Sequence, residues 1–110
     1  MNLNIDQISA AIKSARDGGP IYCELDPRMK CEFFFVDNRI RITICLYRAA
    51  QRSGQLKSIT QMRHRLPDQY ASIKLGTDSR LNMYACRTLT YIAPMQVVKE
   101  MENVCDLLSQ

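Results

Sequence analysis

No apolar run in this chain of 110 residues approaches the roughly 20 consecutive apolar residues that span a bilayer. The opening MNLNIDQIS has neither the basic start nor the continuous apolar stretch of a signal peptide. A cytoplasmic protein with no membrane partner is expected. Histidine occurs once, at His64, and none of the five cysteines stands in a CxxC pair. A zinc site needs about four clustered ligands, usually including close pairs. No metal is therefore expected, and Cys23, Cys31, Cys45, Cys86 and Cys105 read as reduced thiols in small apolar or interfacial roles. The G-x-S-x-G elbow, the P-loop and the Gly-rich dinucleotide turn are all missing, and the four glycines fall in turns or connections. His64 sits between Arg63 and Arg65, with Asp68 its nearest acid in sequence, so it lacks the adjacent carboxylate that a general base wants. Neither catalytic residues nor a cofactor are expected, and the chain reads as non-enzymatic.

Acidic residues are scarce in one region only. From Asn38 to Lys99 there are eleven bases and two acids, whereas acids outnumber bases six to four before Asn38 and the last eleven residues carry three acids and no base. The net charge of +4 is thus concentrated in the middle of the chain, a pattern that suits an acidic partner, nucleic acid included.

What is present is a strong strand signal. In Arg39 to Tyr47, RIRITICLY, the residues Ile40, Ile42, Ile44 and Leu46 share one face, and Arg39, Arg41, Thr43, Cys45 and Tyr47 share the other. That period of two describes a strand buried on one side. Before it, Ile21, Cys23 and Leu25 alternate with Tyr22 and Glu24, and Cys31, Phe33 and Phe35 alternate with Glu32, Phe34 and Val36. Asp26-Pro27 and Asp37-Asn38 supply the turns of an antiparallel meander. The chain opens on a helical stripe, Ile5, Ile8, Ile12 and Ala15, with Asn4 as its cap and Asp17-Gly18-Gly19-Pro20 as its stop.

After the meander, Arg48 to Lys57 reads as an exposed connection. Ser58 with Gln61 resembles a capping box for a short helix carrying Ile59, Met62 and Leu66. A second hairpin follows, Tyr70 to Leu75 and Arg80 onward, with a turn at Gly76-Thr77-Asp78-Ser79. Leu81, Met83 and Ala85 share one face of its second strand; Tyr84, Cys86 and Thr88 share the other. The closing helix starts near Pro94 and buries Val97, Val98, Met101, Val104, Cys105 and Leu108. The expectation is a single α+β domain over residues 1–110, in the order α-β-β-β-α-β-β-α, with helices on one face of an antiparallel sheet of about five strands.

The uncovered face is the candidate site. Phe34, Val36, Thr43, Cys45 and Tyr47, with Arg41 among them, make it too apolar to be simple solvent cover, and such patches mark partner sites. A competing reading takes Arg39, Arg41, Arg48, Arg52, Lys57, Arg63, Arg65, Lys74, Arg80 and Arg87 as a phosphate-binding field interleaved with Tyr47, Tyr70 and Tyr84. The aromatic and glycine pattern of a four-stranded RNA-binding sheet is missing.

The element order, carried by the N-terminal helix with Ile5, Ile8 and Ile12, the meander ending in RIRITICLY, SITQMRHRL, the hairpin YASIKLGTDSRLNMYACRTL and VVKEMENVCDLL, resembles the specificity chaperones of bacterial type III secretion, with their YbjN-like fold. The resemblance implies a homodimer that holds an extended segment of a secreted, effector-like client without nucleotide or metal. It places Ile8 of the N-terminal helix with Phe34, Val36, Arg41, Thr43, Cys45 and Tyr47 on the client. It places Ile59, Met62, Leu81, Met83, Tyr84 and Cys86 at the dimer interface. Those chaperones are usually acidic, and this chain, with a pI near 8.9, departs from them there.

Overall fold

The computed structural model describes residues 4–62, 72–90 and 93–109. Helix α1 (Ile5–Asp17) leads into strands β1 (Ile21–Asp26), β2 (Met29–Val36) and β3 (Arg39–Leu46). A single 3₁₀ turn (Arg48–Ala50), helix α2 (Gln55–Met62), strands β4 (Lys74–Thr77) and β5 (Met83–Leu89), and helix α3 (Pro94–Leu108) complete the chain. The order is the expected α-β-β-β-α-β-β-α.

Local chemistry explains the element ends. The Asn4 carboxamide oxygen accepts the Asp6 and Gln7 N–H groups at 2.9 and 3.2 Å, satisfying two orphan donors of α1. Pro94 opens α3, where its missing N–H costs nothing. Between β2 and β3 the turn is Asp37-Asn38 alone, with φ of 52° and 61°. Two consecutive left-handed residues form the mirror-image turn whose twist matches a tight hairpin.

All strand pairs are antiparallel, in the spatial order β1-β2-β3-β5-β4. One face of the sheet is the core. Phe33, Ile40, Ile42, Ile44 and Ala85 are fully buried there. Helix α1 lies over β1 and β2, α3 lies over β3 and β5, and the two helices touch each other. Ile8, Ala11, Ile12 and Ala15 come from α1, and Val97, Met101, Val104, Leu107 and Leu108 from α3. Each is an apolar stripe closed against a one-sided sheet, as the periodicity requires.

Three local expectations are corrected. Helix α2 begins at Gln55, three residues before Ser58, so the connection ends earlier. The Gln55 side chain accepts the Arg52 N–H at 2.8 Å and donates to the Leu108 carbonyl, so a tertiary contact starts this helix. Gly76 and Thr77 belong to β4, and the turn lies two residues later. There the Asp78 carboxylate accepts the Arg80 and Asn82 N–H groups and the Asn82 side-chain amide at 2.9 to 3.0 Å, holding Leu81 at φ 63°. Strand β5 accordingly begins at Met83 rather than Arg80. His64, Leu66, Asp68, Tyr70 and Ala71 lie outside the described residues. Among the described residues, no helix is long and apolar enough to cross a membrane.

Candidate functional site: the open sheet face

Strand β3 divides its chemistry between two sides. Ile40, Ile42, Ile44 and Leu46 are buried, while Arg39 and Arg41 are exposed and Thr43 and Cys45 are half-buried. The second side belongs to a sheet face on which no described helix packs. Cross-strand register assembles it: Phe34 pairs with Arg41 and Arg41 with Thr88, Glu32 pairs with Thr43 and Thr43 with Cys86, and Lys30 pairs with Cys45 and Cys45 with Tyr84. Strand β4 adds Lys74 opposite Cys86 and Gly76 opposite Tyr84.

Contacts on this face are specific. The Arg41 guanidinium stacks over the Phe34 ring, 5.1 Å from its centre. The Lys30 ammonium lies 5.8 Å from the centre of the Tyr22 ring, a second cation–aromatic pair. Thr43 donates its hydroxyl to the Cys86 sulfur at 3.5 Å. A hydrogen bond to Glu32, and secondarily its negative charge, raises the Tyr22 phenol above its ordinary value. Glu32 faces Tyr22 across the β1–β2 pair. Tyr22 is 60 % exposed and Val36 43 %, so apolar surface stands open on β1 opposite Glu32 and at the turn end of β2.

A shallow groove of about 630 Å³ crosses β3, β5 and β4 on this face, lined by Arg39, Arg41, Lys74, Tyr84, Cys86 and Thr88 among others. A second hollow of about 370 Å³ shares Arg39, Arg41 and Thr88 and ends at Val36 and Asp37. Sequence reasoning left Arg39, Lys74 and Thr88 out of the partner-binding set and missed Tyr22 altogether. The signal was present: each alternates with core residues on its own strand.

The expected partner-binding residues divide. Phe34, Val36, Arg41, Thr43 and Cys45 meet on the open face. Tyr47 lies just beyond β3, half-buried, with its N–H held by the Arg28 carbonyl at 3.0 Å. Ile8 is 2 % exposed beneath α1, so its stripe is consumed by the core. Of the expected dimer residues, Tyr84 and Cys86 stand on the open face and Leu81 is 41 % exposed. Met83 is 1 % exposed, inside the protomer's own core. The side chains of Ile59 and Met62 lie outside the described residues.

The cationic field also divides. Arg87 sits on the helix-covered face, opposite Ile42, with its Nε 3.3 Å from the Glu100 carboxylate. Arg52 reaches the Ser109 carbonyl. Neither belongs to the open face.

The thiols are quiet. Burial pushes Cys23 and Cys45 above the ordinary thiol value and Cys31 well above it. Each stays protonated at neutral pH and is a poor nucleophile. No group of three or more candidate ligands set to hold a metal ion occurs among the described residues.

In fold, the chain is similar to a chain of the ExsC-ExsE complex, seen in a crystal structure. The TM-score is 0.60 at 15 % sequence identity, and the match covers 98 % of this chain and 92 % of that one. No family model matches the sequence, and no curated protein matches it.

Proposed function

We propose that this chain is a non-enzymatic protein-binding module, most like a dimeric secretion chaperone, that holds an extended segment of a client protein on its open sheet face. The observation that carries the reading is the unequal treatment of the two sheet faces. One is sealed by α1 and α3; the other leaves Val36 and Tyr22 exposed and Phe34 half-buried under the Arg41 guanidinium, among cations. Accessible apolar surface set in a polar surround is the composition of a partner site. The fold likeness to a chain from a two-protein complex supports it. A homodimer is part of the proposal, with Leu81, exposed beyond the groove, left to meet the second copy while Tyr84 and Cys86 line the client groove.

An array of short unstructured peptides tests it. A subset is expected to bind, and Phe34→Asp is expected to weaken binding at least about tenfold, the cost of losing an interface anchor, while the far-UV circular dichroism stays unchanged. An array with no binding peptide, or a Phe34→Asp protein that binds like wild type, overturns the reading. Sedimentation velocity tests the dimer.

Nucleic-acid binding is a second reading, favoured by the clustering of Arg39, Arg41 and Lys74 on one groove. It requires affinity that falls steeply with salt, and a gel shift without binding at low salt removes it.

A further inference from the structure

We infer that the groove across β3, β5 and β4 selects an acidic segment of a partner protein, bound in extended form with carboxylates on alternate residues. This rests on the protein-binding reading above and adds the chemistry of the partner.

Three observations converge on the groove. First, Arg39, Arg41 and Lys74 line it, and none of them is ion-paired among the described residues. Asp37 stands near Arg39, at the turn end of the adjoining hollow. Glu32 stands opposite Tyr22 and Thr43, diagonal to Arg41 and three strands from Lys74, and forms no ion pair with either among the described residues. Uncompensated positive charge in a concave surface focuses potential on an incoming anion.

Second, the spacing suits a strand. Arg39 and Arg41 are two residues apart on one face of β3, roughly 7 Å along the strand, the same repeat as alternate side chains of an extended peptide. Lys74 stands two strands over, about 10 to 12 Å from Arg41 by strand geometry, on β4, which pairs on one side only among the described residues. An extended segment lying along β3 in the groove brings carboxylates on alternate residues to Arg39 and Arg41, with Lys74 at its flank.

Third, the aromatic rings beside the groove are already occupied. The face of Phe34 is under the Arg41 guanidinium, and the Tyr84 ring lies on the Gly76 backbone. Unpaired bases need free ring faces on which to stack. Charge and an apolar rim at Val36 remain, which favours an acidic peptide over a single nucleic-acid strand.

Fluorescence anisotropy at low salt decides the matter with three labelled probes. These are a peptide of about ten residues alternating Glu and Thr, its Lys-for-Glu counterpart, and an oligothymidylate of similar contour length. The glutamate peptide is expected to bind at least about tenfold more tightly than the other two. The double variant Arg41→Gln with Lys74→Gln is expected to lose about tenfold of that affinity with its melting temperature unchanged. Equal affinity for the two peptides, or a double variant that binds like wild type, overturns the inference. Tighter binding of the oligonucleotide overturns it in favour of nucleic acid. A double variant with altered sedimentation mass overturns it in favour of a second copy of the chain. Array peptides bound without regard to charge leave the protein-binding reading standing and remove only this inference, whereas an array with no binding peptide removes both.

Discussion

The Tyr84 ring rests on the backbone of its cross-strand partner Gly76. A methyl group at position 76 would meet the phenol oxygen at 2.4 Å and Cζ at 2.5 Å. Gly76 is thus in β4 because an aromatic side chain covers the strand there, a device that compensates glycine at a sheet edge. Gly76→Ala is expected to push the ring off its seat and reshape the groove. The obstructing atoms are the far end of one side chain, so the stability cost stays near 1 kcal/mol. In a double-mutant cycle by urea unfolding, Gly76→Ala and Tyr84→Ala should couple by about 0.5–1 kcal/mol; additive effects would show that the contact carries no energy.

Phe33 and Phe34 are chain neighbours with opposite employment. Phe33 is fully buried, and Phe33→Ala should cost about 3–5 kcal/mol, a large part of the stability of a domain this size. Phe34→Ala leaves the core intact and should cost less than about 1 kcal/mol. Chemical denaturation of the two variants distinguishes them, and the reverse ranking would place the core on the wrong side of the sheet.

Arg87 and Glu100 form a partly buried pair, with side chains 22 % and 21 % exposed. The Arg87 Nε is buried without an aligned hydrogen bond, so the contact is charge against charge. Glu100→Gln removes the counter-charge and should destabilise by about 1–3 kcal/mol. The double change Arg87→Met with Glu100→Leu should recover most of that loss, because well-packed apolar groups replace such pairs with little penalty. Neither change should alter binding at the open face.

Cys31 makes the fold sensitive to alkali. Burial holds its thiol well above the ordinary range, with the neighbouring Cys23 and Cys105 thiols and Glu32 adding to the effect. A group whose folded pKa is raised contributes stability that is complete below the unfolded value and is lost as pH rises through the folded one. The melting temperature should therefore hold to about pH 8.5, where free thiols ionise, and fall above it. Cys31→Val should flatten that decline; a decline of equal slope would assign it to other groups.

Much of the fold was legible because its signals are local. The nine-residue alternation from Arg39 to Tyr47, the Asp37-Asn38 turn, Asn4 as a cap and Pro94 as a start each depend on neighbours in the chain. The start of α2 was not legible, because Gln55 owes it to the carbonyl of Leu108, at the other end of the sequence. The 78–81 turn was misplaced because glycine was taken as the turn former, when Asp78 makes the hydrogen bonds and Gly76 accommodates Tyr84. The site was half legible. Alternation separates the two faces of a strand but does not say what covers each. Ile8 and Met83 carry the same apolar signal whether a partner or the protein's own core receives them. Arg87 entered the cationic field by charge alone, although its parity with Met83 and Ala85 had already assigned it to the helix side.

The two-residue turn at Asp37-Asn38 has a consequence for solubility. Side chains on β3 take their side by odd or even count from that turn. One inserted residue there would exchange the sets, turning Ile40, Ile42 and Ile44 outward as an aliphatic ladder and driving Arg39 and Arg41 beneath the helices. The length of this turn is what keeps the same nine residues from being the chain's most adhesive surface.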